Sequence, residues 1–241
     1  MRIELSNLIL EITRKCNMSC AHCLRGPAQQ MNMDIEIINR VTREVDYIYE
    51  VTFTGGEPSL NAAAIEHFRW AVHFNCCSLD HFWLTVNARF FKQDFHEAIQ
   101  ELYCICDDQD CCSLTISRDQ YHGKMSPKAY EMYSELPFFS TEKMKRIADS
   151  DLLSEGNAKK NQMSYKEVKI GHEIADYHVD PENTVLYVGD LIYVNAKGDV
   201  LFECDLSYNR QKRHAMGNVL RESFKDILLR NLRESKQKVS A

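Results

Sequence analysis

The chain predicts a parallel α/β fold, on three observations. Strand-like and helix-like segments alternate through the first half, a cysteine-rich loop follows the first strand-like run, and a glycine turn follows the second. Leu8 to Thr13 reads as the first strand. A helix follows with Ile35, Ile38, Val41, Val45 and Ile48 on one face and Asn32 or Asp34 as caps. Tyr49 to Thr54 is the second strand, ended by Gly55-Gly56, and Asn61 caps a helix running to Phe74. Phe82 to Val86 is the third strand, Asp94 to Tyr103 a helix, and Ser113 to Ser117 the fourth strand. Ser126-Pro127 places an N-cap residue before a proline, the favoured order for a helix start. Beyond residue 140 the pattern loosens. Asp151 to Glu155 reads as a fifth strand, residues 156–166 as polar loop, and Glu167 to Ile174 as a sixth strand. Leu191 to Val194 and Asp199 to Cys204 flank Asn195-Ala196-Lys197-Gly198 as a hairpin, and a helix closes the chain from about Leu220 to Arg233. Repeated βα units leave the sheet either open or curled into a barrel.

Composition bounds the function. With 241 residues and 44% apolar content the chain buries a full core. Its net charge of −6 argues against a nucleic-acid coat. An acid at Glu4 stands where the apolar region of a signal peptide would begin, and no apolar run approaches the ~20 residues that span a bilayer. A cytoplasmic setting is the expectation. The ten cysteines then read as reduced thiols and metal ligands rather than disulfides.

Cys16, Cys20 and Cys23 form the spacing C-x3-C-x2-C just after the first strand, where active sites of parallel α/β folds gather. Three thiolates leave one position of a polynuclear iron centre open to an outside ligand, and an open position marks a catalytic site. A zinc site of the three cysteines with His22 is the structural alternative.

This spacing, followed by Gly55-Gly56-Glu57-Pro58 after the second strand, resembles the radical S-adenosylmethionine (radical SAM) superfamily. The resemblance implies an oxidoreductase built as a partial (β/α)6 TIM-type barrel over residues 1–180, with a short hairpin-helix extension over 181–241. It implies a [4Fe–4S] cluster on Cys16, Cys20 and Cys23, whose fourth iron chelates SAM. Reductive cleavage would then give a 5′-deoxyadenosyl radical that abstracts hydrogen from a substrate. His22 takes the place of an aromatic residue near the adenine, and Gly55, Gly56, Glu57 and Pro58 form the turn at the methionyl amino group. Asn87 stands where relatives show a Thr-Asn-Gly turn, and Ser117 and Asp119 match a Ser-x-Asp strand ending that contacts SAM. Tyr121 and His122 are further candidates to face substrate or donate a hydrogen atom. An arginine found about a dozen residues past that serine in peptide-modifying relatives is replaced by Ala129, beside Lys128.

The segment Leu153 to Ala158 resembles a Gly-Arg-Ala stretch of extended relatives, with Asn157 in place of the arginine. The tail resembles extensions that hold auxiliary clusters, yet it carries a single cysteine, Cys204, so a reduced extension without a cluster is expected. Cys104, Cys106, Cys111 and Cys112 read as small packing residues beside a solvated loop, and Cys76-Cys77 as core. The basic run Arg210, Lys212, Arg213 and His214 reads as a solvated loop.

The tail's likeness makes a peptide or protein side chain the expected substrate, with a flavodoxin- or ferredoxin-type protein as low-potential electron donor. The alternatives are a glycyl-radical-enzyme activase, an enzyme acting on a small molecule or nucleotide, or a SAM-binding iron–sulfur sensor or scaffold without turnover.

Overall fold

The structure, a computed structural model, describes residues 1–141, 151–163, 166–168, 170, 174–182 and 184–239. Nine strands form one sheet: β1 (Arg2–Thr13), β2 (Tyr47–Gly55), β3 (Ser78–Val86), β4 (Ser113–Ile116), β5 (Phe139–Ser140), β6 (Tyr177–Asp180), β7 (Val185–Val194), β8 (Asp199–Leu201) and β9 (Gly217–Asn218). Their order is β5-β4-β3-β2-β1-β7-β8-β9, and β6 pairs with β7. From β5 through β7 all pairs are parallel; β6, β8 and β9 are antiparallel to their neighbours. The sheet is open, as a partial barrel requires.

β1 lies between β2 and β7, in register Leu8 to Val51 on one side and Leu8 to Ile192 on the other. Its residues Leu8 to Thr13 are all buried, because a central parallel strand is covered on both faces. The sheet packs against α1 (Ile35–Thr42), α2 (Ala62–Phe74), α3 (Gln93–Tyr103) and α4 (Pro127–Ser134) through one core that includes Leu10, Val51, Phe68, Phe82 and Phe95. α5 (Gly156–Lys160), α6 (Tyr208–Gln211) and α7 (Phe224–Val239) follow.

The caps explain where helices begin. Asp34 caps α1 by accepting from the Glu36 amide, and Ser126 accepts from the Ala129 amide ahead of α4. Asn61 stands at the start of α2 but makes no cap bond; its Nδ2 donates instead to the Ile12 carbonyl at 2.7 Å, tying α2 to the end of β1.

Several local expectations change. In α1 the buried side is Ile37, Ile38 and Val41 while Ile35 is 52% exposed; Val45 lies past the helix and Ile48 belongs to β2. No strand forms over 151–155, where Leu153 makes one isolated bridge to Lys166, and the expected polar loop that follows begins with α5. The described residues of 167–174 form no strand either; the fifth parallel strand is Phe139–Ser140, and the place beside β1 is taken by β7. The hairpin on Asn195 to Gly198 is present, but its first strand begins at Val185 and its second ends at Leu201. The closing helix starts at Phe224.

Candidate active site

A cavity of about 790 Å3 opens at the C-terminal ends of β1 to β4. The first four parallel strands contribute there through their last residues or those that follow: the cysteine loop after β1, Thr54 to Pro58 at the end of β2, Thr85 and Asn87 at β3, and Ser117 after β4. Cys16, Cys20 and Cys23 all line it and are all half-buried.

The cysteine loop is closed at its base. The Arg14 and Met33 amides donate to Met31 and Ile12 carbonyls, and the Gln29 amide donates to Arg14. Thr13 Oγ1 donates to Asn32 Oδ1 at 2.8 Å. From the β2 side, the Gly56 and Glu57 amides donate to the Thr13 and Lys15 carbonyls at 2.8 and 2.9 Å. A Cβ on Gly55 would stand 1.8 Å from the Thr13 oxygen, and one on Gly56 2.2 Å from that of Lys15. The two glycines therefore allow contact between two backbones of this chain, a different reason from the approach to a ligand that the sequence suggested.

Glu57 is 2% exposed and joins three segments. It accepts from the Ser59 amide and hydroxyl (3.2 and 2.6 Å) and from the Asn87 amide (2.9 Å). Burial raises its pKa above the ordinary carboxylate value, although those hydrogen bonds act the other way. Asn87 donates to Asn17 Oδ1 at 2.8 Å, linking β3 to the cysteine loop.

On the far side, Asp119 accepts from the Tyr121 and His122 amides and from His122 Nδ1, the last at 2.8 Å. Burial opposes its ionisation, but these bonds prevail and its pKa lies below the ordinary value. Asp119 thus holds His122 in place rather than lining the cavity, which His122 does. The His22 ring packs 4.7 Å from Tyr121 and 5.0 Å from His122. Burial, then the neighbouring His122, lower the His22 pKa, which favours a neutral imidazole. Burial first and the other two thiols next push Cys20 up to about 11. The neighbouring thiols thus disfavour the Cys20 thiolate, as in a donor set that a cation completes.

The C-terminal half supplies contacts that the sequence reading did not find. Asn157 donates from its backbone to the Cys23 carbonyl at 2.8 Å and from Nδ2 to the Cys20 carbonyl at 3.0 Å; Asn161 Nδ2 reaches Ala21 at 2.8 Å. Beneath the loop lies a buried polar cluster. Arg14 Nε donates to Glu11 Oε1 and Nη2 to Gln211 Oε1, both at 2.5 Å. Glu11 also accepts from Tyr193, Gln211 Nε2 and the Ala196 amide. An acid within the apolar run of β1 was the only signal of it. Ala129 is fully buried and Lys128 lies over the Phe91 ring, so neither replaces the arginine of peptide-modifying relatives.

Of the other thiols, Cys106 and Cys112 are buried, with Cys106 Sγ directed to the Leu102 carbonyl, while Cys104 and Cys111 are exposed. Cys204 is half-buried beside Asp205, and burial pushes its thiol up to about 12.

Residues 9–125 match the family model of the 4Fe–4S single cluster domain, a span that contains the three thiols and the ends of β2, β3 and β4. That match covers just under half of the chain. An uncharacterised protein of Methanocaldococcus jannaschii is 27% identical over 106 residues, covering 41% of this chain and 36% of that protein's length. The solved structure of native anSMEcpe with bound AdoMet and Cp18Cys peptide aligns at a TM-score of 0.58 and 12% identity, over 95% of this chain and 83% of that one. At that identity the likeness concerns the fold alone.

Proposed function

We propose that this chain is a radical SAM protein that holds a [4Fe–4S] cluster on Cys16, Cys20 and Cys23 and uses it to cleave SAM, generating a radical that acts on a peptide or protein side chain. The observation that carries the reading is the convergence of three thiols and the ends of four parallel strands on one cavity of about 790 Å3. The donor set fits the group: three half-buried sulfurs on a loop braced from below and from both sides, facing a cavity with room for a small molecule. When bound, the cluster and SAM together supply a one-electron cleavage of the sulfonium to methionine and a 5′-deoxyadenosyl radical.

The chain's own residues bind and orient. Gly55 to Pro58 fix the β2 turn against the cysteine loop, with Glu57 setting its distance from Asn87. Asn87 and Ser117 offer polar groups along the wall, and the His22 ring packs at a tilt on Tyr121 on the side where His122 is held by Asp119. The segment after β8 closes the remaining side, since Tyr208 lines the same cavity. A peptide substrate is supported by the tail's resemblance to extended relatives and by the solved relative that carries a peptide. The electron donor of this reading is a flavodoxin- or ferredoxin-type protein. Among the described residues no helix is long and apolar enough to cross a membrane, and the ten free thiols support a reducing, cytoplasmic setting.

Anaerobic reconstitution tests the reading. The wild type is expected to take up about four irons per chain with broad visible absorption. Each of Cys16→Ala, Cys20→Ala and Cys23→Ala is expected to lose that signal, and reduction with SAM is expected to release 5′-deoxyadenosine. Retention of the cluster in all three variants, or no release from a fully loaded protein, overturns it.

A further inference from the structure

We propose that the face of the sheet turned away from its helices binds a basic side chain of a peptide, on a platform of Tyr47, Tyr49 and Tyr187 flanked by the carboxylates of Glu4 and Asp80. This names the substrate class for the reaction site in the main cavity and rests on that reading.

The strand pattern slips at this level of the sheet. Leu5 and Leu8, Ile48 and Val51, and Leu79 and Phe82 are all buried, where strict alternation would bury every second residue. Between the members of each pair stand two residues that miss the core: Ser6-Asn7, Tyr49-Glu50 and Asp80-His81. Asn7, Glu50 and His81 are neighbours in register across β1, β2 and β3. Asn7 Nδ2 donates to Glu50 Oε1 at 2.6 Å, and His81 Nε2 lies 3.5 Å from Glu50 Oε2. Nearer the start of the strands, Glu4 stands in register between Tyr47 and Tyr187. Such polar rows are foreign to a parallel sheet covered on both faces.

The three rings touch. The Tyr47 and Tyr49 centroids are 4.7 Å apart, and those of Tyr49 and Tyr187 6.0 Å apart with the planes at 87°. None of the three belongs to the apolar clusters of the core, and Tyr49 is 38% exposed. The Tyr47 hydroxyl donates to Asp80 Oδ1. That bond first, then burial, raises the Tyr47 pKa; burial, then Glu4, raises that of Tyr49. Both phenols therefore stay neutral, and the carboxylates acting on them are Asp80, Asp107 and Glu4. Among the described residues neither Glu4 nor Asp80 pairs with a lysine or arginine. A carboxylate that accepts from a phenol keeps its whole charge. Uncompensated carboxylates around an exposed ring attract an ammonium or guanidinium group, by charge and by the ring quadrupole.

The same face leads to the reaction site. Thr52 and Trp83, the next residues on this side of β2 and β3, are half-buried, and Thr54 and Thr85 line the main cavity. From Tyr49 to Thr54 the strand rises about 17 Å, a span that an extended peptide covers with about five residues. The platform thus selects a basic residue about five positions from the one that reacts.

The test uses the reconstituted full chain and two fluorescein-labelled hexapeptides, one alternating glycine with lysine and one with glutamine in place of lysine. Fluorescence anisotropy is expected to give at least about tenfold tighter binding of the lysine peptide, weakened by salt. Glu4→Gln with Asp80→Asn is expected to abolish that preference. Glu97→Gln with Glu131→Gln, which removes the same charge from the exposed sides of α3 and α4, is expected to keep it. Tyr49→Leu is expected to weaken lysine-peptide binding about threefold and Tyr49→Phe to leave it unchanged, since the ring and not the hydroxyl meets the cation. Iron content and melting temperature verify that the variants fold. Equal affinity for both peptides, or equal loss in the two double variants, overturns the inference. So does a wild-type dimer in sedimentation that Tyr49→Leu dissociates, since that marks a face between two copies of the chain. If the lysine peptide binds selectively while no cluster assembles, the reading of the main cavity fails and the platform stands.

Discussion

Arg14 is the residue whose removal is expected to weaken the protein most for its position. Its side chain is 1% exposed, and its three guanidinium nitrogens bond Glu11, Gln29 and Gln211. Glu11 is fully buried, so Arg14→Met leaves a carboxylate in the core with only neutral donors. Breaking a buried pair from one side costs ~3–5 kcal/mol. At ~2–4 °C per kcal/mol for a chain of this size, the melting temperature is expected to fall by about 6–20 °C. Thermal unfolding followed by circular dichroism on wild type, Arg14→Met, Glu11→Gln and the double variant gives the pair's coupling. Glu11→Gln in the Arg14→Met background removes the stranded charge and is expected to restore at least about 1.5 kcal/mol. Iron uptake in Arg14→Met is expected to fail at a lower temperature than in wild type, because Arg14 stands two residues before Cys16. An Arg14→Met loss below about 1 kcal/mol, or a double variant as weak as the sum of the singles, refutes the reasoning.

Three further outcomes are expected. Gly156 has φ +50° and a Cβ there would meet the Leu24 and Cys23 carbonyls at 2.3 and 2.6 Å, so Gly156→Ala is expected to cost at least about 2 kcal/mol and to lower iron content; wild-type loading would contradict this. Asn157→Asp exchanges a donor for an acceptor against the Cys20 carbonyl, and slower, less complete cluster assembly than in Asn157→Ala is the expected readout. Asp119 has a lowered pKa, so its stabilising contribution is present above the ordinary Asp value of ~3.9 and is lost as pH falls through the lower folded value. The melting-temperature gap between wild type and Asp119→Asn is therefore expected to shrink as pH drops from about 5 to 3; a constant gap would show that Asp119 acts without its charge.

The sequence was informative where neighbours in the chain decide the structure. β1 to β4, the helices between them and the loop of Cys16, Cys20 and Cys23 follow from local periodicity and turn residues, and all sit at one end of the sheet. It was silent where distant segments meet. Val185 to Val188 shows little alternation of its own, yet it pairs in parallel with Arg2 to Leu5 because an all-buried strand needs a partner on each edge. The expected strand at 151–155 is diverted because Glu155 is tied to Ser207 and Arg210, and Gly156 turns the chain into a left-handed conformation. Nothing local joins Glu11 to Gln211, 200 residues apart, or Asn157 to Cys20. The glycines at 55 and 56 were recognisable as required, but the atoms that require them, the Thr13 and Lys15 carbonyls, emerge only from the packing of two loops.

The central place of β1 also has a temporal consequence. Leu5 pairs with Ile48 on one edge and with Val188 on the other, partners separated from it by 43 and 183 residues. At ~5–20 residues per second of synthesis, β7 follows β1 by roughly 10–35 s. During that interval the three thiols are already made, while Asn157, Tyr208 and Gln211 are not yet in place to brace their loop. Oxidation or capture of a wrong metal has its opportunity then. On the proposed function, faithful metal loading is thus a matter of order: the segments from Asn157 onward must fold before the cysteine loop is ready to be filled.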